Sequence, residues 1–516
     1  MKLPDTDPPG FRGAFLREED ARRPFREASG ILRLLPDAVA VPEDAADVAA
    51  LVRWAAATRT PLVPRGAGTG MPGGNVGGGV SVDLATRFRA VEAVDPAART
   101  ARVRPGVTLA ELNAACAPHG LHFPVDPSSG ARATLGGLVA NNSAGSHSVK
   151  YGATRGWVRE VEVVLADGTQ AVAARGRDPE EPALRDLARR VRRDLLPHRA
   201  RIEARWPRVR KNSSGYALRE FLASGDAVDL LVGSEGTLAL VTGATLRLAP
   251  LPAARGLALL EFTSLERAGA AVREVLRHDP ATCEMLDRTF LDLVRSGGED
   301  AGYPLREGLE AVLLVEVERG SPGEVEAALE GLRAAMGGLA DGVVLAVDPE
   351  EQERLWHLRH AASPLIAARA GGRVSMQFIE DGVVPVERLP DYVAVLRRTL
   401  ERHRLPAVIF GHAGDGNLHV NPLVDVSAPG WRRDLEGIVY EVAEAVAELG
   451  GTMAGEHGDG RLRAPVLETV WGAEMVALFR GVKVAFDPIG ILNPGVILPL
   501  PGQRPLDAVG EYPVPG

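Results

Sequence analysis

Residues 65–75 read Arg65-Gly-Ala-Gly-Thr-Gly-Met-Pro-Gly-Gly-Asn75, and this stretch decides the fold class. So many glycines exclude the interior of a helix or a strand. Glycine permits positive φ and lets the backbone approach a ligand closely, and successive N–H groups in such turns form a concave site for anions. We therefore expect a loop that cradles phosphate, with an ordinary surface loop as the alternative when this stretch is taken alone.

The segments on either side of the loop argue against a Rossmann fold. Val48, Leu51, Val52 and Ala55 have helical spacing, and a short apolar strand is predicted over residues 61–64. The strand-like Val80-Ser-Val-Asp-Leu84 follows the loop. Gly66, Gly68 and Gly70 match only part of the G-x-G-x-x-G pattern, and the helix that a dinucleotide-binding βαβ unit requires does not follow. A phosphate-binding loop of another kind is the better interpretation.

Further segments rich in small residues follow in series. They read Pro124-Val-Asp-Pro-Ser-Ser-Gly130, Thr134-Leu-Gly-Gly-Leu-Val-Ala-Asn-Asn-Ser-Ala-Gly145, Tyr151-Gly-Ala-Thr-Arg155, Lys211-Asn-Ser-Ser-Gly-Tyr216 and Leu231-Val-Gly-Ser-Glu-Gly-Thr-Leu238. Each one alone is compatible with a tight turn. Their succession suggests one extended ligand that passes many backbone atoms.

The composition excludes several classes of protein. A chain of 516 residues is long enough for two or three domains, and its net charge of -9 argues against a nucleic-acid partner. Cys116 and Cys283 form no C-x-x-C pattern, so neither a disulfide framework nor an iron–sulfur cluster is expected. The stretch from Met1 to Phe15 lacks the apolar core of a secretory signal, and no apolar run is long enough for a membrane span. We expect a cytoplasmic protein, with peripheral membrane attachment left open.

The chain from about residue 251 to 401 alternates helical and strand-like patterns, which favours an α+β substrate or cap domain. Helical spacing is seen over residues 265–276, and residues 311–317 form a strand-like apolar run. Arg359 and Ser363 are four residues apart and would share one face of a helix. A guanidinium there could bind a carboxylate through two hydrogen bonds, although a solvated surface Arg is the alternative in so Arg-rich a chain.

Two glycine-rich motifs carry the chemistry. The first reads Phe410-Gly-His-Ala-Gly-Asp-Gly-Asn-Leu-His-Val-Asn421, and the second reads Gly450-Gly-Thr-Met-Ala-Gly-Glu-His-Gly-Asp-Gly460. His412, His419 and Glu456 are the expected ligands of a catalytic metal site with an open position, and zinc is its expected occupant. A structural zinc is the competing interpretation, but such a site is normally closed by four ligands, often Cys, and neither cysteine lies near these motifs.

His457 lies next to Glu456 but is expected to project differently, and we assign it as the general base. Asn421 is expected to hydrogen-bond the substrate.

Taken together, these segments resemble the FAD-binding domain of the vanillyl-alcohol oxidase / p-cresol methylhydroxylase superfamily. Within it the chain is most similar to the branch of D-lactate, glycolate and D-2-hydroxyglutarate dehydrogenases, from about residue 36 to 498. The implied fold is α+β, with a two-subdomain PCMH-type FAD-binding domain, an α/β cap domain with an antiparallel sheet, and a C-terminal segment that returns to the FAD domain. The implied boundaries are an N-terminal segment (1–35), the FAD-binding domain (36–252), the cap with the metal site (253–478) and the C-terminal segment (479–516).

The resemblance also implies which residues contact FAD. Covalent relatives often use a His in the pyrophosphate loop, whereas this chain has Thr69 there, so non-covalent FAD is expected. The implied cofactor-binding residues are Pro64, Arg65, Gly66, Ala67, Gly68, Thr69, Gly70, Gly74, Asn75, Pro127, Ser128, Ser129, Thr134, Gly136, Gly137, Asn141, Ser143, Ala144, Tyr151, Gly152, Glu235, Gly236, Leu238 and Val241.

The same relatives bind the hydroxy-acid carboxylate with an Arg and a hydroxyl residue at the spacing of Arg359 and Ser363. The implied substrate-binding residues are Arg359, Ser363, Asn421, Tyr216 and Asn493. Some relatives place a Lys a little farther on, but here Ser375-Met-Gln-Phe-Ile-Glu-Asp381 contains none. The identity of the hydroxy acid therefore stays open.

The function implied is FAD-dependent oxidation of a D-2-hydroxy acid such as D-lactate, D-2-hydroxyglutarate or glycolate to the 2-oxo acid. A divalent metal would bind the substrate, His457 would act as the base, and hydride would pass to the flavin. The electron acceptor would be a separate quinone, cytochrome, electron-transfer flavoprotein, iron–sulfur subunit or oxygen, and a homodimer is a compatible oligomeric state. The alternatives are a metal-free flavin oxidase of another alcohol, a non-catalytic flavoprotein subunit of an electron-transfer complex, and a structural metal protein without flavin.

Overall fold

The computed structural model describes residues 3–4, 6–296, 305–360 and 373–512, so Ser363 lies outside the described residues. Among the described residues, the N-terminal half contains two sheets and a two-stranded ribbon, and the following region is built on one larger antiparallel sheet. The first sheet has the order β1-β2-β4-β3. Its strands are β1 Ala14–Leu16, β2 Ala38–Val41, β3 Leu62–Arg65 and β4 Val80–Asp83.

The helix Ala45–Thr58 connects β2 to β3, as the spacing of its apolar residues predicts. The carboxylate of Asp44 caps the helix by accepting hydrogen bonds from the N–H groups of Ala46 and Asp47. Val48 and Leu51 are fully buried against the sheet. The glycine-rich loop then joins β3 to β4, which pair in parallel, with Leu62 opposite Val80. A strand rather than a helix follows the loop, which confirms that this is no Rossmann unit.

A second sheet with the order β5-β6-β10-β8-β9 and a two-stranded ribbon of β7 and β11 complete the first half. The strands are β5 Val91–Asp95, β6 Thr100–Val103, β7 Leu121–His122, β8 Val158–Val164, β9 Gln170–Ala174, β10 Leu240–Arg247 and β11 Ala249–Pro250. The main accompanying helices are Leu109–Cys116, Leu135–Asn141, Pro182–Leu195, Arg199–Arg205, Leu218–Ser224 and Ala227–Leu231.

The cap region is built on an antiparallel sheet with the order β15-β12-β14-β13-β18-β19-β16, and β17 pairs with β19. Its strands are β12 Ala254–Phe262, β13 Thr282–Asp287, β14 Ala311–Arg319, β15 Gly342–Ala346, β16 Val374–Ser375, β17 Gly382–Val383, β18 Ala407–Gly411 and β19 Asn417–Val424. Its main helices are Leu265–Leu276, Arg288–Ser296, Pro322–Met336, Pro349–His360, Leu389–Arg402 and Trp431–Glu448. The helix predicted over residues 265–276 and the strand over residues 311–317 are confirmed.

Both faces of this sheet are covered, which explains the unbroken apolar runs. Successive side chains of a strand point to opposite faces, so Leu259 and Leu260 enter two different core clusters. Leu313 and Leu314 of β14 divide between the same two clusters. A charged residue in such a strand is therefore buried whichever way it points.

After the cap sheet the chain returns to the N-terminal half. The helices Gly460–Arg463, Leu467–Trp471 and Ala473–Phe486 follow in succession. Buried side chains between Leu467 and Ile497 join the cores of the N-terminal half, whereas Leu506 and Val509 pack in the core of the cap sheet. Leu492 then forms a parallel bridge with Leu62 beside the glycine-rich loop. Among the described residues no helix combines the length and the apolar character needed to cross a membrane.

We expect Phe479→Ala to lower the free energy of unfolding by about 3–5 kcal/mol, because it leaves a cavity in a close-packed core. The ring of Phe479 is fully buried and meets Trp471 and Tyr216 edge-on, at centroid distances of 5.1 and 5.9 Å. Val484 on the same helix is 58% exposed, and Val484→Ala should cost about 0.5 kcal/mol or less. Urea unfolding followed by tryptophan fluorescence measures both; equal midpoints would contradict this packing.

Candidate active site

One cavity of about 730 Å³ runs between the glycine-rich segments and the cap, a volume typical of small-molecule and cofactor sites. Most of the residues predicted to contact FAD line it. These are Pro64, Arg65, Gly66, Ala67, Gly68, Thr69, Gly70, Gly74, Asn75, Pro127, Ser128, Ser129, Thr134, Gly136, Gly137, Asn141, Ser143, Ala144, Glu235, Gly236 and Val241. Arg359, Asn421, His412, His419, Glu456 and His457 line the same cavity.

The cavity-lining residues of the loops at 64–75 and 127–144 and of the turn at 235–241 form a glycine-rich wall. Its glycines permit close contacts between segments that are distant in sequence. A Cβ atom at Gly66 would lie 2.3 Å from the hydroxyl oxygen of Thr134. Gly236 has a φ of +69°, and a Cβ there would lie 2.2 Å from Cγ of Pro64. In the same wall the buried Oδ1 of Asn75 has no hydrogen-bond partner among the described residues. An extended cofactor with hydrogen-bond donors fits this arrangement.

Five predicted contact residues do not line the cavity. The hydroxyl of Tyr216 is 2.8 Å from that of Thr237 in the core, and Leu238 is fully buried. The amide of Asn493 donates to the carbonyl oxygens of Gly74 and Glu235 and so supports the wall from behind. The remaining two are Tyr151 and Gly152, near the cap strand β14; the Tyr151 hydroxyl donates to Glu318.

The two predicted histidine ligands converge because β18 and β19 form a hairpin. His412 directly follows β18, and His419 lies in β19 opposite Phe410. Nε2 of His412 is 3.1 Å and Nε2 of His419 is 3.3 Å from Oε1 of Glu456. These three atoms form a group that could hold a metal ion, and all three residues are buried.

Carboxylates hold the opposite ring nitrogens. Glu284 contacts Nδ1 of His412 at 2.6 Å. Oε2 of Glu380 lies 3.3 Å from Nδ1 of His419 and 2.8 Å from Nδ1 of His457. Such carboxylate–histidine pairs fix the ring orientation and direct Nε2 toward a metal or a substrate.

Each of these carboxylates also has a cationic partner. Arg359 donates to Glu284 at 2.7 Å, Arg463 donates to Glu380, and the ammonium of Lys211 donates to Oε2 of Glu456 at 2.8 Å. The last contact leaves Oε1 of Glu456 directed at the histidines. The donor set of two imidazoles and one carboxylate oxygen therefore suits a divalent transition-metal ion.

The electrostatics of the site are dominated by these carboxylates. Burial lowers the pKa of His412 and His457, but Glu284 beside the first and Glu380 beside the second raise both to about 9. Burial raises the pKa of Glu456, but Lys211 and His412 hold it well below its usual range. A divalent cation beside these imidazoles would favour their neutral form, because like charges repel.

The side chain of His457 is 28% exposed, against 5% for His412 and 9% for His419. Its ring stacks on that of His419 at 5.2 Å, and its Nε2 lies 3.4 Å from Oε1 of Glu456. His457 is thus the imidazole of this group with the greatest access to the cavity.

The loop that carries Glu456 and His457 is anchored to the N-terminal half. The amide of Asn141 donates to the carbonyl oxygen of His457, and the hydroxyl of Ser213 donates to the carbonyl oxygen of Gly455. The carboxyl group of Glu235 accepts from the N–H of Asp459 at 2.7 Å. Burial, together with the nearby charge of Asp459, raises the pKa of Glu235 to about 8.

Several residues of this site were not predicted from the sequence. They are Glu284, Glu380, Lys211 and Arg463 around the predicted metal ligands, and Gln377 and Phe410 in the cavity wall. One signal was present: Glu284 lies in an apolar strand, where a charged residue needs a partner. The guanidinium of Arg359 lies 4.9 Å from the ring centre of Phe410, at the edge of the cavity.

Comparison with protein families matches two models to the chain. Residues 36–173 match an FAD binding domain, and residues 251–497 match the C-terminal domain of FAD linked oxidases. Among solved structures, 4-ethylphenol oxidase from Gulosibacter chungangensis has a TM-score of 0.68 at 17% identity, covering 94% of each chain. An alkyldihydroxyacetonephosphate synthase has a TM-score of 0.60 at 16% identity, covering 93% of this chain and 82% of its own. These likenesses confirm the predicted fold.

Curated relatives extend the match over most of the sequence. Glycolate oxidase subunit GlcD of Escherichia coli is 32% identical over 90% of this chain and 84% of its own. D-lactate dehydrogenase of Archaeoglobus fulgidus is 32% identical, over 89% of this chain and 91% of its own. D-2-hydroxyglutarate dehydrogenase of Pantoea ananatis is 30% identical over 95% of this chain, which spans 50% of that relative's length. The resemblance found in the sequence is confirmed, and the chain belongs to the family of FAD-linked oxidases.

Proposed function

We propose that this protein oxidises a D-2-hydroxy acid to the 2-oxo acid, with non-covalent FAD as the oxidant and a divalent cation, zinc by preference, at the substrate. One observation carries the proposal: the glycine-rich wall and the group of His412, His419, Glu456 and His457 line the same cavity. The names of the similar dehydrogenases and the glycolate oxidase subunit support this substrate class.

When bound, FAD supplies a two-electron oxidant, and the metal ion at His412, His419 and Glu456 supplies a Lewis acid. The chain's own residues position the substrate and move its proton. Because Glu380 holds Nδ1 of His457, Nε2 is the atom that accepts the hydroxyl proton. Arg359 provides a guanidinium for the substrate carboxylate, and Asn421 provides an amide for hydrogen bonding.

The wall that would hold the cofactor comprises the cavity-lining residues of the loops at 64–75 and 127–144 and of the turn at 235–241. Tyr216, Asn493, Leu238, Tyr151 and Gly152 would act behind this wall rather than in contact with the ligand. Ser363, the proposed partner of Arg359, lies outside the described residues.

The alternatives fit the site less well. A metal-free oxidase of another alcohol, or a non-catalytic flavoprotein subunit, would not need three Nε2 atoms held toward one carboxylate oxygen by outer partners. The reduced flavin would pass its electrons to a separate quinone, cytochrome, electron-transfer flavoprotein or iron–sulfur subunit. We propose a cytoplasmic location, with peripheral membrane attachment or a homodimer compatible with it.

The purified protein should be yellow, with the absorption bands of flavin. It should reduce an artificial dye acceptor with D-2-hydroxy acids but not with their L-enantiomers. A chelator should abolish dye reduction, and zinc should restore it, because the cation holds the substrate. Activity that survives complete removal of metal would favour the metal-free oxidase, and a colourless protein that binds no added FAD would contradict the proposal.

Replacing the base should stop turnover without releasing the cofactor. We expect His457→Ala to lower kcat by about 10²–10⁴-fold, the range of a lost general base, with FAD still bound. The exposed His119 lies outside the cavity lining, so His119→Ala should leave kcat unchanged. Stopped-flow flavin reduction measures the step directly, and a near-normal rate in His457→Ala would refute the assignment.

Lys211 should matter through Glu456. Lys211→Met removes the partner of Oε2, and we expect metal affinity to fall by about 10–100-fold, as for other outer partners of metal ligands. Lys211→Arg, which keeps the charge and a donor, should lose less. Titration of the metal-free protein with zinc gives the dissociation constants, while the flavin spectrum reports FAD content. Equal affinity in Lys211→Met and wild type would show that Lys211 does not position the ligand.

A further inference from the structure

A second group of ligating atoms converges away from the active site. His147 of the N-terminal half faces Glu316 and Glu318 of the cap strand β14. Nε2 of His147 is 3.1 Å from Oε1 of Glu316 and 3.9 Å from Oε1 of Glu318. The side chains are 19%, 0% and 4% exposed, respectively, and none of the three lines the active-site cavity.

The outward atoms of this group are held as they are in the active site. Asp126 contacts Nδ1 of His147. The indole N–H of Trp356 donates to Oε2 of Glu316 at 2.8 Å. Lys150 and Tyr151 both donate to Oε2 of Glu318, at 2.8 and 2.6 Å. One nitrogen and two oxygen atoms are therefore left facing each other, and the imidazole ring and both carboxylates are fixed in orientation.

We propose that His147, Glu316 and Glu318 bind a second divalent cation of the zinc or manganese class. Two ligand atoms about 2.1 Å from a tetrahedral ion lie about 3.4 Å apart, and the two distances at Nε2 fall on either side of this value. The carboxylate of Asp126 behind the imidazole is the arrangement that orients metal-binding histidines. The ion replaces the proton that Nε2 otherwise shares with Glu316, so binding releases one proton to solvent.

This ion would bridge the two halves of the chain, with three protein ligands and a fourth position open to water. Asp126 and His147 belong to the N-terminal half, whereas Glu316 and Glu318 belong to the cap, so the ion joins the two sides of the cavity. Trp356, which holds Glu316, lies on the helix Pro349–His360 that also carries Arg359. The second site therefore fixes the orientation of the cap, and with it the helix that bears the proposed carboxylate-binding Arg.

Metal counting on the full-length, FAD-containing protein tests the proposal. The protein is stripped with chelator, loaded with zinc, dialysed and analysed by mass spectrometry for zinc per chain. We expect two zinc ions in the wild type and one in each of His412→Ala, His147→Gln and Glu318→Gln. Glu261→Gln is the matched control, because Glu261 is a buried carboxylate of the same sheet paired with Arg306, and it should keep two. In the His412→Ala protein, added zinc should still raise the melting temperature.

The outcomes separate this inference from the proposed active site. One ion in the wild type and none in His412→Ala would overturn the second site and leave His147 as a protonated partner of the carboxylates. Two ions in both His147→Gln and Glu318→Gln would also overturn it, since the second ion would then bind elsewhere. If His147→Gln fails to fold, the wild type and His412→Ala decide the matter. If His412→Ala retains one ion and Glu318→Gln binds one ion fewer than the wild type, the second site is supported whether or not the active site binds metal.

Discussion

The centre of this molecule depends on buried carboxylates that are each shared between histidine and a cationic side chain. Glu284 joins His412 to Arg359. Glu380 joins two histidines to Arg463, and Glu456 joins Lys211 to the facing Nε2 atoms. A buried charge without a partner is costly, so these carboxylates stabilise the fold only when their partners are in place. The same requirement fixes the imidazole rings, which makes the orientation of these rings a consequence of charge pairing.

This constraint links the two halves of the chain. Lys211 comes from the N-terminal half, whereas Glu456 lies in a loop that follows the cap sheet. Hydrogen bonds from Asn141 and Ser213, and one to Glu235, attach the same loop to the half that carries the glycine-rich wall. The glycine-rich wall and His457 are therefore held in one frame, which the proposed hydride transfer between a substrate and a flavin would require.

Much of the fold was accessible from local pattern. The apolar spacing of Val48 and Leu51 predicts a helix, and the many glycines of residues 65–75 predict a loop between strands; both are confirmed. His412 and His419 could be paired from the sequence because a short hairpin brings them together. The functional roles of these residues stay predictions, because only the resemblance to the family assigns a chemical role to each of them.

The sequence by itself therefore determined the glycine-rich wall, the hairpin that carries His412 and His419, and the family. Each of these depends on residues that are contiguous in the chain. Only the tertiary structure decided which distant side chains hold these residues in place. Glu284 reaches His412 across 128 residues, and Lys211 reaches Glu456 across 245. The group of His147, Glu316 and Glu318 likewise forms only when the two halves meet. Such pairings carry no periodic or local signature, because a charged side chain acquires its partner and its burial only from packing between segments that are distant along the chain.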